Sequence, residues 1–240
     1  TSHGNQIIDG MDMLKDWNSA YAYSFSGGSG TLHFEDYYGY GDDSGFATGG
    51  CYDLSNCDYT SDGLLGPTRE FLDNAGRDIN VIMWSWCSIY GHDINQYLDN
   101  MKTIITEYPN VKFVFITGHT EGATNNPNVD ARNNQIRNFV NNDAFCNTHQ
   151  CILFDFADIE EHNPSGEDFM SRGINQDLSY SGGNWGTDWM NTHSDTHSQL
   201  AVRQRNFGCS HSTSVPGAYL NCALKGEAVW NLFGKIAGCA

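Results

Sequence analysis

The sequence predicts an α/β fold on a central parallel sheet, and three observations carry that expectation. Asp78 to Trp86, Val111 to Thr117 and Cys151 to Phe156 are short, almost unbroken apolar runs, the pattern of strands covered on both faces. Helical periodicity fills the intervals. Ile94 to Tyr108 carries Tyr97, Leu98, Met101, Ile104 and Ile105 and stops at Pro109, and Asp130 to Asn141 carries Ile136, Phe139 and Val140. A last helix is predicted over Leu224 to Ala237, with Val229, Trp230, Leu232, Phe233 and Ile236. Strands that alternate with helices in this way build a parallel sheet with helices on both faces.

At the start, Thr1 to Gln6 is a hydroxyl- and glycine-rich turn, and Ile7, Ile8, Met11, Leu14 and Lys15 then recur at helical spacing. A serine on such a turn suits a nucleophile. The turn exposes its hydroxyl, and the following helix offers N–H groups and positive potential to an oxyanion. The plain alternative is that Ser2 merely caps the helix, as serine commonly does. Residues 18 to 63 and 163 to 206 read as two long ordered loop regions rich in Gly, Asn, Ser and Asp. Trp185 and Trp189, in the second, fit either a sugar-binding face or packing beneath a loop.

With 240 residues, 39% of them hydrophobic, the chain is expected to form one domain over 1–240. Twelve basic against 29 acidic residues give a net charge of -17, which would repel nucleic acid and anionic membrane surfaces. No apolar run approaches the roughly 18 residues of a membrane span. Eight cysteines occur. Cys51 with Cys57, Cys146 with Cys151 and Cys209 with Cys222 are close enough to suggest disulfides, hence an extracellular or periplasmic protein. Cys87 and Cys239 have no obvious mates. No cofactor or metal is expected. The cysteine spacing does not fit zinc, His193 and His197 lack the glutamate of a zinc-hydrolase helix, and Asp42-Asp43 is far from an EF-hand loop.

In parallel α/β folds ligands bind beyond the carboxyl ends of the strands. Those ends hold Trp84-Ser85-Trp86-Cys87-Ser88, Gly118-His119-Thr120-Glu121 and Ala157-Asp158-Ile159-Glu160. His119 and Glu121 suit either substrate contact or closure of the strand–loop junction. Near the end of the chain, Cys209-Ser210-His211-Ser212 puts a histidine on a loop before the last helix. A Cys209–Cys222 bridge would hold that loop rigid, as a general base requires. An ordinary surface histidine is the alternative.

The order of these parts resembles the SGNH (GDSL-like) hydrolase superfamily, and more narrowly a group of secreted SGNH-like proteins. The matching segments are Thr1-Ser2-His3-Gly4, Trp84-Ser85-Trp86-Cys87, Tyr97 to His119, Ile152 to Glu160 and Cys209 to Gly238. The resemblance implies a three-layer α-β-α sandwich of flavodoxin-like form. It implies Ser2 as nucleophile, His211 as base and the backbone N–H of Ser2 as first oxyanion donor; Gly4, Ser85 and Cys87, with His119 and Glu121 from the strand-end reading, are the candidate oxyanion and substrate contacts. The expected activity is that of a secreted serine esterase or carbohydrate deacetylase, acting on a small-molecule or polysaccharide ester.

Several positions depart from the family pattern. The family's oxyanion asparagine falls at or near Cys87, its glycine is one of Gly45, Gly49 and Gly50, and its acid, three residues before the histidine, is Gly208. Asp158, Asp155 or Asp188 is then left to orient His211, or else a backbone carbonyl is. The family also places a central strand directly before the serine, and none precedes Thr1. The expectation is that upstream sequence is omitted. Donation of the strand by another chain, in a homo-oligomer or by a partner, and processing to a true terminus are the alternatives. A free Thr1 amine would also permit an N-terminal nucleophile, or Cu(II) held with His3. The competing function is a non-catalytic extracellular structural or glycan-binding subunit that kept the fold.

Overall fold

The computed structural model describes residues 2–24, 31–34, 65–73, 79–86, 88–212 and 215–238. It is a mixed α/β protein in which helices dominate and the parallel sheets are small. The described residues fall into two compact units. One draws on 37–118 and 128–155, the other on 2–36, 119–127 and 156–240.

The first unit contains a parallel sheet of three strands, β3 (Val81–Met83), β4 (Lys112–Ile116) and β5 (Ile152–Phe154), with β4 in the middle. Register runs Val81 to Lys112 and Val114 to Ile152. Phe113, Val114, Phe115 and Ile116 are all buried, as a central strand covered on both faces requires. Helix α2 (Leu65–Asp73) precedes the sheet in sequence, and α3 (Ile94–Glu107) links β3 to β4. Asp93 caps α3 by accepting the N–H groups of Asn95 and Gln96, and Ile94, Tyr97, Leu98, Met101 and Ile104 form its buried stripe. Tyr97 and, from α4 (Gly122–Asn142), Phe139 both meet Phe115, with ring centroids 6.1 and 5.6 Å away. Helix α5 (Ala144–His149) leads into β5 through a Cys146–Cys151 disulfide.

The predicted strands and the helix at 94 are therefore present with trimmed ends. The helix predicted from Asp130 starts at Gly122 instead, because the polar stretch Thr124 to Asn128 and Pro127 lie within it rather than ahead of it.

The second unit is mostly helical. Helix α1 (Ser2–Trp17) packs against α8 (Thr196–Gln204) and α9 (Tyr219–Ile236). The segment Thr1 to Gln6, expected as a turn, is helical from Ser2 onward. The reason is a continuous face: His3, Gln6, Ile7, Gly10, Met11 and Leu14 recur at three- and four-residue steps and are all buried. Gly10 and Gly226 mark where α1 and α9 cross. A Cβ on Gly10 would stand 2.0 Å from the Cys222 carbonyl oxygen, and one on Gly226 would stand 2.4 Å from the Gly10 carbonyl carbon.

This unit also holds the short parallel pair β1 (Tyr23–Ser24) and β2 (Leu32–His33), helix α6 (Phe156–Glu161), and the hairpin β6 (Ser179–Tyr180) and β7 (Gly183–Asn184). Residues 163 to 206, expected as loop, carry that hairpin, α7 (Trp185–Thr192) and α8. Both helices are nucleated by side-chain caps. Asn184 accepts from the Thr187 N–H, and Asp195 from the Ser198 N–H. Trp185 and Trp189 are buried with Phe169, Ile174, Leu178, Ala201 and Leu220, so they serve packing.

Candidate functional site

Three histidine rings stack in the second unit. His3 is the central one, parallel to His119 at 3.7 Å between centroids and to His211 at 4.8 Å, with interplanar angles of 8° and 15°. His3 and His119 are buried, whereas His211 is exposed. Each ring comes from a different part of the chain. His3 lies in the first turn of α1, His119 follows β4, and His211 sits on the loop before α9. Parallel faces are not a chelating arrangement, because imidazole lone pairs lie in the ring plane.

Hydrogen bonds fix the two buried rings. His3 Nε2 lies 2.6 Å from the Gln176 side-chain oxygen, which can only accept, so Nε2 carries the proton. Among the described residues its Nδ1 has no hydrogen-bond partner. His119 Nδ1 donates to the Thr120 carbonyl at 2.9 Å, and its Nε2 lies 3.7 Å from a Glu121 carboxylate oxygen. Burial, reinforced by the neighbouring His119 ring and the Lys225 ammonium and partly countered by the Gln176 hydrogen bond, drives the His3 pKa down to about 2. His3 is therefore a neutral platform at physiological pH.

Linkage gives this a stability consequence. The unfolded chain takes up a proton near pH 6.5 that the folded His3 refuses until about pH 2, so His3 carries no penalty above 6.5 and destabilises the fold increasingly as pH falls below it. The penalty is about 1.4 kcal/mol per pH unit once the unfolded imidazole is protonated. Urea unfolding at pH 7 and pH 4.5 should show a smaller loss for His3→Phe than for the native protein.

The loop carrying His211 is gripped on every side. His211 itself adopts φ 58°, a left-handed conformation that a non-glycine residue holds only under constraint. Gln204 donates to the Gly208 carbonyl at 2.7 Å. Asp9 accepts the Ser210 N–H at 3.3 Å, and Gln6 donates to the Ser210 carbonyl at 2.5 Å, so α1 binds both backbone groups of Ser210. Burial, the largest influence on Asp9, raises its pKa. Ser212 Oγ donates to the Gln176 carbonyl at 2.8 Å, and a Cys209–Cys222 disulfide ties the loop to α9.

Beside these residues lies an ion pair with no solvent exposure, Lys225 Nζ to Glu160 Oε1 at 2.6 Å. The ammonium also donates to Gln6 Oε1 and lies 3.6 Å from the centroid of the Phe156 ring. Glu160 Oε2 accepts from Thr120 N at 2.7 Å and Thr120 Oγ1 at 2.9 Å, and Asn221 Nδ2 reaches Glu160 Oε1 at 3.5 Å. Burial, partly countered by Glu160, brings the Lys225 pKa down to about 8.

Of the residues the sequence singled out, the structure brings His211 and His119 together around His3, with Glu121 beside His119. Ser2 and Gly4 lie in the first turn of α1, flanking His3 in sequence. The Ser2 side chain, Cys87, Gly45, Gly49, Gly50 and the Cys51 and Cys57 pair lie outside what is described. Ser85 belongs to the sheet-bearing unit, after β3. Asp158 is on α6, exposed, with its carboxylate 3.1 Å from His162. Asp155 pairs with Arg137 at 2.7 Å, and Asp188 accepts from the Tyr180 hydroxyl at 3.2 Å. Asp158, Glu161 and His162 could offer a cation three ligand atoms within 4.8 Å of one another, a grouping common on acidic helix ends without any ion. His197 lies 3.3 Å from Glu227, and His193 stacks on Trp189 at 3.7 Å.

The sequence reading missed Gln6, Glu160, Gln176, Asn221 and Lys225. Spacing held one signal: His3 and Gln6 continue the face of Ile7, Gly10 and Met11. No family model matches the chain, and comparisons with characterised proteins and with solved structures likewise return no match.

Proposed function

We propose that the chain is a secreted hydrolase of SGNH type, with the three-layer arrangement of that superfamily, that cleaves esters with Ser2 as nucleophile and His211 as base. The observation that carries this reading is the placement of the exposed His211 ring 4.8 Å from His3, the residue next to Ser2. Two disulfides, Cys146–Cys151 and Cys209–Cys222, support an oxidising compartment. No helix among the described residues is long and apolar enough to cross a membrane.

In this mechanism Ser2 Oγ attacks the ester carbonyl carbon while His211 takes its proton. The oxyanion rests against the N–H groups of the first turn of α1, around Gly4. His211 then protonates the departing alcohol, and water repeats the sequence to release the acid. No metal is involved. A surface of net charge -17 favours neutral substrates such as acetylated sugars over anionic ones.

The test is labelling by a fluorophosphonate probe together with turnover of an aryl acetate. Ser2→Ala and His211→Gln should each lower turnover by at least about a thousandfold, and Ser2→Ala should abolish labelling. Native-like behaviour of Ser2→Ala in both assays overturns the esterase reading. Gly208, with φ 78° where the superfamily has its acid, favours a second reading, a glycan-binding or structural subunit without catalysis. Saccharide affinity that survives both substitutions, in a protein with no turnover, would establish it.

A further inference from the structure

The Glu160–Lys225 pair is more elaborate than packing needs. Burying two charges costs several kcal/mol, and apolar residues of like volume usually serve stability as well. The bonds radiating from the pair lead to the histidines. Lys225 reaches Gln6, and Gln6 donates to the carbonyl of Ser210, next to His211. Glu160 reaches Thr120, next to His119, through both the backbone N–H and the hydroxyl. Asn221, 3.5 Å from Glu160, donates to Ser212 Oγ at 3.1 Å and to the Gln176 carbonyl at 2.8 Å. Ser212 is the other neighbour of His211, and Gln176 holds His3. His119 and His211 thus each have an adjacent residue tied to one buried pair, and His3 is reached through its partner Gln176.

We propose that the buried Glu160–Lys225 pair is the positioning device for the histidine stack, setting the His211 loop through Gln6 and Asn221. Such a device orients the imidazole by holding the residues on both sides of it. This rests on His211 being the base, but its structural half is measurable without turnover.

The experiment compares Gln6→Met, and the charge-free pair Lys225→Met with Glu160→Gln, against the native protein. Far-UV circular dichroism and a thermal melt establish that each variant is folded. The 15N signals of the histidine ring nitrogens then report tautomer and environment. The expected result is that Gln6→Met moves the His211 signals while leaving those of His149, in the sheet-bearing unit, unchanged. The double variant should move both His211 and His119. Aryl acetate turnover should show kcat lowered about tenfold with KM within about twofold, the mark of lost orientation rather than lost binding. Folded variants with native His211 and His119 signals overturn the proposal. If the native protein turns over no ester, the esterase reading falls, and the ring signals alone decide the positioning role.

Discussion

Replacing Lys225 by Met, with Glu160 left in place, should destabilise the protein by about 3–5 kcal/mol, the usual cost of stranding one member of a buried ion pair. Both side chains have no solvent exposure, so water cannot take over from the ammonium. Glu160 would keep Thr120 and Asn221 as donors, but these are neutral and do not balance its charge. Urea titrations of native and variant protein at pH 7 measure the loss. The double variant with Glu160→Gln should regain much of the loss, since the stranded charge is gone. A single variant as stable as the native protein at pH 7 would mean that the pair is not sealed from solvent.

The second large effect is expected at the helix crossing. Gly10→Ala should cost about 3 kcal/mol, at the upper end for overpacking, because the new methyl would meet backbone rather than a side chain able to swing aside. Its Cβ would fall 2.0 Å from the Cys222 carbonyl oxygen and 2.8 Å from Gly226 N. Those atoms belong to α9 and can retreat only if the whole helix does. Gly234 supplies the control. It lies in the same helix with nothing within 4 Å of a built Cβ, so Gly234→Ala should be neutral or stabilise by up to about 1 kcal/mol through helix propensity. Thermal or urea unfolding should show a clear loss for Gly10→Ala and none for Gly234→Ala, and equal behaviour would refute the close crossing.

Legibility in the sequence followed hydrophobic period. Helix α3 has an apolar stripe, an Asp93 cap and Pro109 beyond its end, and it was readable to within one residue. Strand β4 was readable because four consecutive residues, Phe113 to Ile116, are apolar. Helices α7 and α8 were not, because their sequences are rich in Asn, Thr, Ser and Gln. Their start signals, Asn184 and Asp195, look like ordinary loop residues until the capping bonds are seen.

The site divided along the same line. His119 and His211 were found because histidines at strand ends and on loops carry a chemical signal. His3 was noticed only as a copper ligand, since nothing local says that its ring lies between two others. Lys225 and Glu160 were passed over for a physical reason. A charged residue in a helical pattern is normally solvated, and its burial depends on partners 65 and 219 residues away. Pairings at such separations leave no local period to read.

The packing of α1 on α9 has a consequence for how the second unit comes into being. Gln6 and Lys225, joined directly, are 219 residues apart. The apolar face of α1, with Ile7, Met11 and Leu14, therefore has no permanent cover until α9 has been synthesised. Loop-closure entropy must be met before those contacts repay it, so this unit assembles late and slowly, whereas α3 and the strands it joins can form early. Helix α1, made well before α9, is among the last elements of its unit to be buried, and its exposed face during that interval is where a folding helper would act.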